Sequence, residues 1–294
     1  MSFLIQDMFS VKGKVVVVTG GGSGIGKYLT TAFVANGAKV YITGRRMEVL
    51  EATAKELGEL VIPIQGDLST KGGAKAMADQ IASKTSVIDT LINCAGVSVP
   101  FKKATSQHED PDSVQEMMEG VEDYDFDYTN QININGVFFT TTFLTPLLRK
   151  SENPSVVVIA SIAGLAIQRA MGSLTYGVSK AAAIQLSRQL SGRLHPMKIR
   201  VNCICPGIFP SEMTGQGGKD GGPVELAGPA AAAAKRSTMG RPGKPQEIAA
   251  PILMLSSVGG MYINNALINV DGGRLLVMQG LYDGIRMPED TYTY

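Results

Sequence analysis

Tryptophan is absent from this chain of 294 residues, histidine occurs only as His108 and His195, and cysteine only as Cys94, Cys203 and Cys205. Two histidines exclude a histidine-rich metal site, and three cysteines make no disulfide framework. Unpaired thiols in a chain of this size fit a reducing compartment. Net charge is nearly missing as well, since 27 Lys and Arg against 26 Asp and Glu leave +1. A dedicated nucleic-acid binder would need a basic stripe to neutralise phosphates, so no nucleic-acid partner is expected. No apolar run approaches the roughly 18 residues that span a bilayer, so no membrane partner is expected either. Met1 to Ser10 holds no basic segment before an apolar stretch, and Thr291 to Tyr294 reads as no retention or peroxisomal address. A soluble, cytoplasmic protein is the expectation.

What is present is apolar and glycine-rich: 44% of residues are hydrophobic, 18% are charged and 34 are glycines. That composition is too apolar for a disordered chain and long enough for a large core. Short apolar runs alternate with helical patterns. Val15 to Thr19, Lys39 to Thr43, Val61 to Ile64, Thr90 to Asn93, Val156 to Ala160 and Ile199 to Cys205 read as strands. Helical spacing covers Gly24 to Asn36, a face of Val49, Leu50, Thr53, Ala54 and Leu57, and stretches at about 70–84, 126–149 and 174–194. Continuously apolar strands imply a parallel sheet buried on both faces. The expected fold is therefore α/β, one Rossmann-like doubly wound domain over 1–294 with helices on both faces.

Two segments interrupt the rhythm. Ser106 to Asp127 holds nine carboxylates and no lysine or arginine. This acidic insertion, about 101–125, reads as a solvated surface feature, with a wall of the substrate pocket as the alternative. Gly215 to Ala234 is rich in Gly, Ala and Pro, and the region at about 207–240 reads either as a linker or as a lid over a site.

The first strand runs into Thr19-Gly20-Gly21-Gly22-Ser23-Gly24-Ile25-Gly26. Glycines let the chain turn tightly and approach a phosphate, and the following helix N-terminus offers free N–H groups to an anion. The strict G-x-G-x-x-G pattern fits nowhere. The Walker A pattern comes close with Gly21, Gly26 and Lys27 but fails at Tyr28, where a small hydroxyl should hold magnesium. The pattern T-G-x-x-x-G-x-G fits at Thr19, Gly20, Gly24 and Gly26. At the tip of the second strand, Gly44 stands where an acid would accept the ribose 2′-hydroxyl of NAD. Arg45 and Arg46 follow, which suits the 2′-phosphate of NADP.

Further on, Tyr176 and Lys180 lie four apart in Thr175-Tyr176-Gly177-Val178-Ser179-Lys180, on one face of an apolar helix. Ser161 closes the preceding strand at its carboxyl end, where open α/β sheets bind ligands. An ammonium beside a phenol favours the phenolate, which suits proton exchange with a carbonyl oxygen. Together with Asp67-Leu68, Asn93-Cys94-Ala95-Gly96, Asn133 in Ile132-Asn133-Ile134-Asn135-Gly136, Pro206-Gly207 and Val270-Asp271-Gly272-Gly273, these motifs resemble the short-chain dehydrogenase/reductase family over nearly the whole chain. The stretch Pro206 to Thr214 is further similar to the rhamnolipid-type branch of 3-oxoacyl-carrier-protein reductases, a likeness from which no substrate is read.

The resemblance implies an NADP(H)-dependent enzyme that reduces a ketone, 3-oxoacyl-like or a bulkier metabolite, by hydride transfer. Tyr176 would be the general acid and Lys180 would hold the nicotinamide ribose. Ser161 would hydrogen-bond the substrate oxygen, and Asn133 would anchor a water relaying protons to Lys180. The cofactor would meet Gly20, Ser23, Gly24, Ile25 and Gly26 at the turn and Arg45 and Arg46 at the ribose. Asp67 and Leu68 would lie at the adenine, with Asn93, Ala95 and Gly96 beside the cofactor. Pro206, Gly207 and the Ile208 backbone would meet the carboxamide, and Thr214 that group or the pyrophosphate. Alternatives remain for single residues: a helix cap for Asp67, a polar helix residue for Asn133, core thiols for Cys94, Cys203 and Cys205. The same site run backwards would oxidise an alcohol, and a family member without redox chemistry would serve as a scaffold. The loop carrying Gln168 and Arg169 is read as long. The resemblance also implies a homodimer or homotetramer pairing the helices at about 126–149 and 174–194, with the tail 274–294 covering a neighbour or its own pocket.

Overall fold

A computed structural model describes residues 2–105, 107, 110–167, 173–217, 224–226 and 228–278. Nine strands are present among them: β1 (Val15–Thr19), β2 (Lys39–Gly44), β3 (Val61–Gln65), β4 (Thr90–Asn93), β5 (Ser155–Ile159), β6 (Arg200–Pro206), β7 (Gly215–Gly217), β8 (Val224–Leu226) and β9 (Leu267–Val270). Seven of them form one sheet in the order β3-β2-β1-β4-β5-β6-β9, and every pairing in it is parallel. The helices are α1 (Ile5–Met8), α2 (Gly24–Ala35), α3 (Met47–Leu57), α4 (Lys71–Ala82), α5 (Pro111–Glu119), α6 (Asp123–Asn130), α7 (Val137–Leu148), α8 (Leu174–Arg193), α9 (Gly228–Lys235), α10 (Pro245–Ser256) and α11 (Arg274–Met278).

The β-branched run of β1 explains the layering. Its side chains alternate across the sheet, so Val17 faces one core while Val16 and Val18 face the other. On the first side Val17, Tyr41, Leu91 and Val156 pack with Ala74, Met77 and Ile81 of α4 and Leu144 of α7. On the second, Val16, Val18, Ile42 and Ile204 pack with Leu29 and Phe33 of α2 and Ile248, Ile252 and Leu255 of α10. A sheet sealed on both faces has only its strand ends free. Strand order reverses between β1 and β4, so the crevice at their carboxyl ends opens just past Thr19 and Asn93.

Several elements were not expected, α10 and β9 of the main layers among them. Helix α10 starts with Pro245 in its first turn, where a missing N–H costs nothing, but carries Pro251 inside, which masks its periodicity. Strand β9 is a four-residue edge strand whose residues are all exposed or half-buried, so it lacks the apolar run of a central strand. The stretch expected as one helix at about 126–149 is α6 and α7 joined by a π-helical turn, Gln131–Gly136. The acidic insertion is not loop throughout: Asp110 caps α5, which has Pro111 in its first turn and buries none of its residues. Lys103 pairs with Glu116 at 3.2 Å, and Lys102 lies 3.6 Å from the buried carboxylate of Asp125. The glycine-rich region holds the antiparallel pair β7–β8 and α9. Gln168 and Arg169 and the tail from 279 onward lie outside the described residues.

Arg200, at the start of β6, is a buried structural cation. Its guanidinium donates to the carbonyls of Gly260 (2.8 Å), Ile263 (3.0 Å) and Leu255 (2.9 Å), tying the sheet to the end of α10 and the turn after it. Arg200→Met leaves those buried acceptors unpaired. It is expected to lower stability by about 2–4 kcal/mol, read as a lower urea midpoint at unchanged slope.

Candidate active site

The glycine-rich turn is held by close backbone contacts and by threonine hydroxyls that bond its carbonyls. Gly20 has φ of +68° and donates its N–H to the Thr43 carbonyl at 2.7 Å. A Cβ on Gly26 would overlap the Gly20 carbonyl oxygen, and one on Gly21 would lie 2.6 Å from a methyl of Ile42. Only glycine permits that approach, and it brings the start of α2 directly over the end of β1. Ser23 is the N-cap of α2, yet its side chain makes no capping bond. The helix N-terminus is therefore left without a side-chain cap next to Ser23, which lines the crevice, while Gly24, Ile25 and Gly26 lie outside that lining. Thr30 in the next turn donates to the Gly21 and Gly26 carbonyls, with the latter at 2.9 Å.

Thr19 links this turn to the next strand. Its hydroxyl accepts the N–H groups of Cys94 and Ala95, both at 3.0 Å. That fixes Ala95 against Gly20 and places Gly96 at the floor of the crevice. Burial pushes the Cys94 thiol up to about 12, in keeping with a core thiol. Asn93 donates to Thr141 at 3.1 Å, and its Oδ1 is buried without a partner.

The crevice itself encloses about 420 Å³. Of the residues expected at a cofactor, Gly20, Ser23, Arg45, Arg46, Asp67, Leu68, Ala95 and Gly96 line it. Arg45 donates to the Tyr128 hydroxyl at 2.8 Å, and Arg46 pairs with Glu212 at 2.8 Å. Asp67 accepts from the Ser69 N–H at 3.0 Å, while the cap of α4 is Thr70. Asp67 is therefore not the helix cap: its carboxylate holds the turn before the helix, and the residue lines the crevice.

Beyond Gly96 the crevice meets the polar residues of α8. A Cβ on Gly96 would lie 3.2 Å from Asn133 Oδ1 and 3.3 Å from Lys180 Nζ. Asn133 sits in the π-helical turn, a feature frequent at functional sites because it re-aims one side chain. Its amide accepts from the Val97 N–H at 2.9 Å and donates to the Val97 carbonyl and the Ser179 hydroxyl, both at 2.9 Å. Lys180, 5% exposed, donates to the Ile159 carbonyl at the end of β5 at 2.9 Å. Its Nζ lies 5.6 Å from the Tyr176 ring centroid.

Ser161 follows β5 and caps the short turn Ile162–Gly164 through its hydroxyl. That turn lies on α8: a Cβ on Gly164 would come within 2.6 Å of the Lys180 carbonyl carbon, and one on Gly177 3.3 Å from the Ala163 carbonyl. Asn133 and Lys180 thus adjoin the crevice at Gly96, with Tyr176 over Lys180 and the turn after Ser161 packed on α8, though none of the four is part of the crevice lining. Beneath them lie Cys203 and Cys205, both buried on β6. The contact with Cys203, and burial after it, raise the Cys205 thiol.

The segment after β6 closes the other side. Gly207 leaves no room for a Cβ against Asp271, which in turn accepts from the Gly273 and Leu275 N–H groups. The Ile208 carbonyl accepts from the Gly243 N–H. Thr214 uses its hydroxyl within its own turn, donating to the Phe209 carbonyl at 2.6 Å and accepting from the Ser211 N–H. Pro206, Gly207, Ile208 and Thr214 lie outside the lining of the crevice. Tyr128 and Glu212 are the site residues that spacing alone did not single out.

The arrangement fits a dinucleotide: glycines and Ser23 line the crevice beside an uncapped helix N-terminus, and two arginines line it at the tip of β2. Asn133→Ala removes the tie between Val97 and α8. It is expected to cost about 1–3 kcal/mol of stability, read as a lower melting temperature with an unchanged far-ultraviolet spectrum.

The short chain dehydrogenase family model matches residues 14–221. A rhamnolipids biosynthesis 3-oxoacyl-[acyl-carrier-protein] reductase from Pseudomonas aeruginosa is 36% identical over 277 residues, covering 92% of this chain and 99% of that protein. Among solved structures, the Pseudomonas aeruginosa RhlG/NADP active-site complex has a TM-score of 0.77 at 34% identity, over 92% of this chain and 99% of that one. The 3-ketoacyl-(acyl-carrier-protein) reductase from Brucella melitensis complexed with NADH has a TM-score of 0.74 at 26% identity, over 90% of this chain and all of that one. Among the described residues no helix is long and apolar enough to cross a membrane.

Proposed function

This chain belongs to the short-chain dehydrogenase/reductase family and is an oxidoreductase acting on CH–OH or C=O groups; on that premise we propose that it reduces a ketone to a secondary alcohol with NADPH. The observation that carries the reading is the buried Lys180 held on the Ile159 carbonyl under the Tyr176 ring, next to the glycine floor of the crevice.

When bound, the reduced nicotinamide supplies the hydride. Tyr176 donates its phenolic proton to the carbonyl oxygen as that oxygen gains charge. Lys180 stabilises the phenolate left behind and orients the ribose. The Ser161 hydroxyl donates a hydrogen bond to the same substrate oxygen. Asn133, fixed by Val97 and Ser179, holds the water that returns a proton through Lys180 to Tyr176. Pro206, Gly207 and the Ile208 backbone would hold the carboxamide. Gly24, Ile25 and Gly26 at the start of α2 would hold the pyrophosphate, and Asp67 and Leu68 would hold the adenine. The relatives' names support a 3-oxoacyl-like substrate, and the same residues serve alcohol oxidation in reverse.

The preference for NADP(H) rests on Arg45 and Arg46, with Gly44 leaving no carboxylate at the end of β2. The 2′-phosphate is the group those guanidiniums suit. Tyr176→Phe keeps the ring and removes the proton. Turnover is expected to fall by about 10²–10⁴-fold with NADPH affinity unchanged within about twofold. Wild-type turnover in the variant would overturn the catalytic assignment. Arg45→Ala is expected to weaken NADPH by about 10- to 100-fold in a fluorescence titration while sparing NADH. An equal loss for both cofactors would remove the phosphate from the reading.

A further inference from the structure

Four charged side chains line the crevice: Arg45, Arg46, Asp67 and Glu212. The two arginines are held differently. Arg45 is bound by the Tyr128 hydroxyl and lies 5.9 Å from that ring's centroid, and Tyr128 is stacked on Tyr124. Those partners are uncharged, so Arg45 is positioned while its charge stays available. Arg46 has a counter-anion, the Glu212 carboxylate at 2.8 Å.

Glu212 reaches Arg46 from the opposite side of the crevice. It belongs to the turn after β6, in which the Thr214 and Gly215 N–H groups both bond the Ser211 carbonyl at 3.0 Å. The Tyr28 hydroxyl of α2 donates to the Pro210 carbonyl at 2.8 Å, and a Cβ on Gly24 would lie 3.1 Å from Ser211 Cβ. The backbone carrying Glu212 is thereby anchored to the glycine-rich turn. Its carboxylate crosses the mouth of the crevice to the tip of β2.

We infer that Glu212 is a specificity-determining residue: it holds the place of an anion at Arg46 and competes with the 2′-phosphate of NADP(H). The inference rests on the NADP(H) reading above. Discrimination between two ligands is a difference of affinities. With NADP(H), binding must break the Arg46–Glu212 pair and bring a phosphate up to a carboxylate. With NAD(H), the pair stays intact and Arg46 keeps its counter-charge. Glu212 thus narrows the advantage that two arginines alone would give the phosphorylated cofactor, and the enzyme accepts both.

The test titrates NADPH, NADH, 2′,5′-ADP and ADP into the wild type and Glu212→Gln, following fluorescence for the first pair and calorimetry for the second. Glu212→Gln is expected to tighten NADPH and 2′,5′-ADP about fivefold, and NADH and ADP by less than about twofold, the scale of a half-exposed ion pair. The gain is expected to shrink at high salt. Equal changes for all four ligands, or none for the phosphorylated pair, would overturn the role of Glu212. If the wild type binds 2′,5′-ADP no better than ADP, the NADP(H) reading fails instead. Glu212→Asp, which withdraws the carboxylate by one methylene, gives the same ordering should the glutamine variant fold poorly.

Discussion

The structure depends on one steric constraint, the contact of Gly26 with the Gly20 carbonyl. No side chain fits between them, so the end of β1 and the start of α2 meet backbone to backbone. Everything that makes the crevice chemical follows from that approach. It sets the uncapped start of the helix beside the crevice, and it lets Thr30 lock the turn by bonding two of its carbonyls. It also leaves Gly20 in a conformation whose N–H reaches across to β2. A larger residue at either position would separate the helix dipole from the site it polarises.

The second half of the site is organised by polar bonds. Thr19 holds the exit of β4 through two amides, and Asn133 holds the next stretch through both groups of Val97. Both side chains bond backbone, and Asn133 adds the Ser179 hydroxyl, so the position of the chain is fixed on each side of Gly96. Lys180 follows the same logic, since one of its three protons is taken by the Ile159 carbonyl and two are left. Such bonds are strong where water is excluded, and this end of the crevice is walled by the core beneath β5 and β6.

Most of the sheet was legible because its strands are buried on both faces and therefore read as uninterrupted apolar runs. Val15–Thr19 and Thr90–Asn93 match the structure at both ends. What was not legible is what the sheet does not bury. Strand β9 is at most half-buried, and α10 hides a buried apolar face behind an internal proline. The family resemblance placed Asn133 among the site residues, but not the π-helical turn that aims it, because that turn has the composition of ordinary helix. Thr214 shows the reverse case, a motif residue whose hydroxyl is used by its own turn. Tyr128 and Glu212 could not be found from spacing, since each lies far along the chain from the arginine it meets.

Those two contacts change what a pair of adjacent arginines means. Read along the chain, Arg45 and Arg46 are equivalent cations at the end of β2. In the fold one is held by a neutral aromatic and the other by a carboxylate, so their charges are not equally available. Both neighbours come from outside the sheet: Tyr128 from the helix that ends the acidic insertion, Glu212 from the turn after β6. The sheet and the glycine turn fix where a dinucleotide can lie. Segments outside that frame set how much free positive charge the tip of β2 offers to a ligand, with no change to the frame itself.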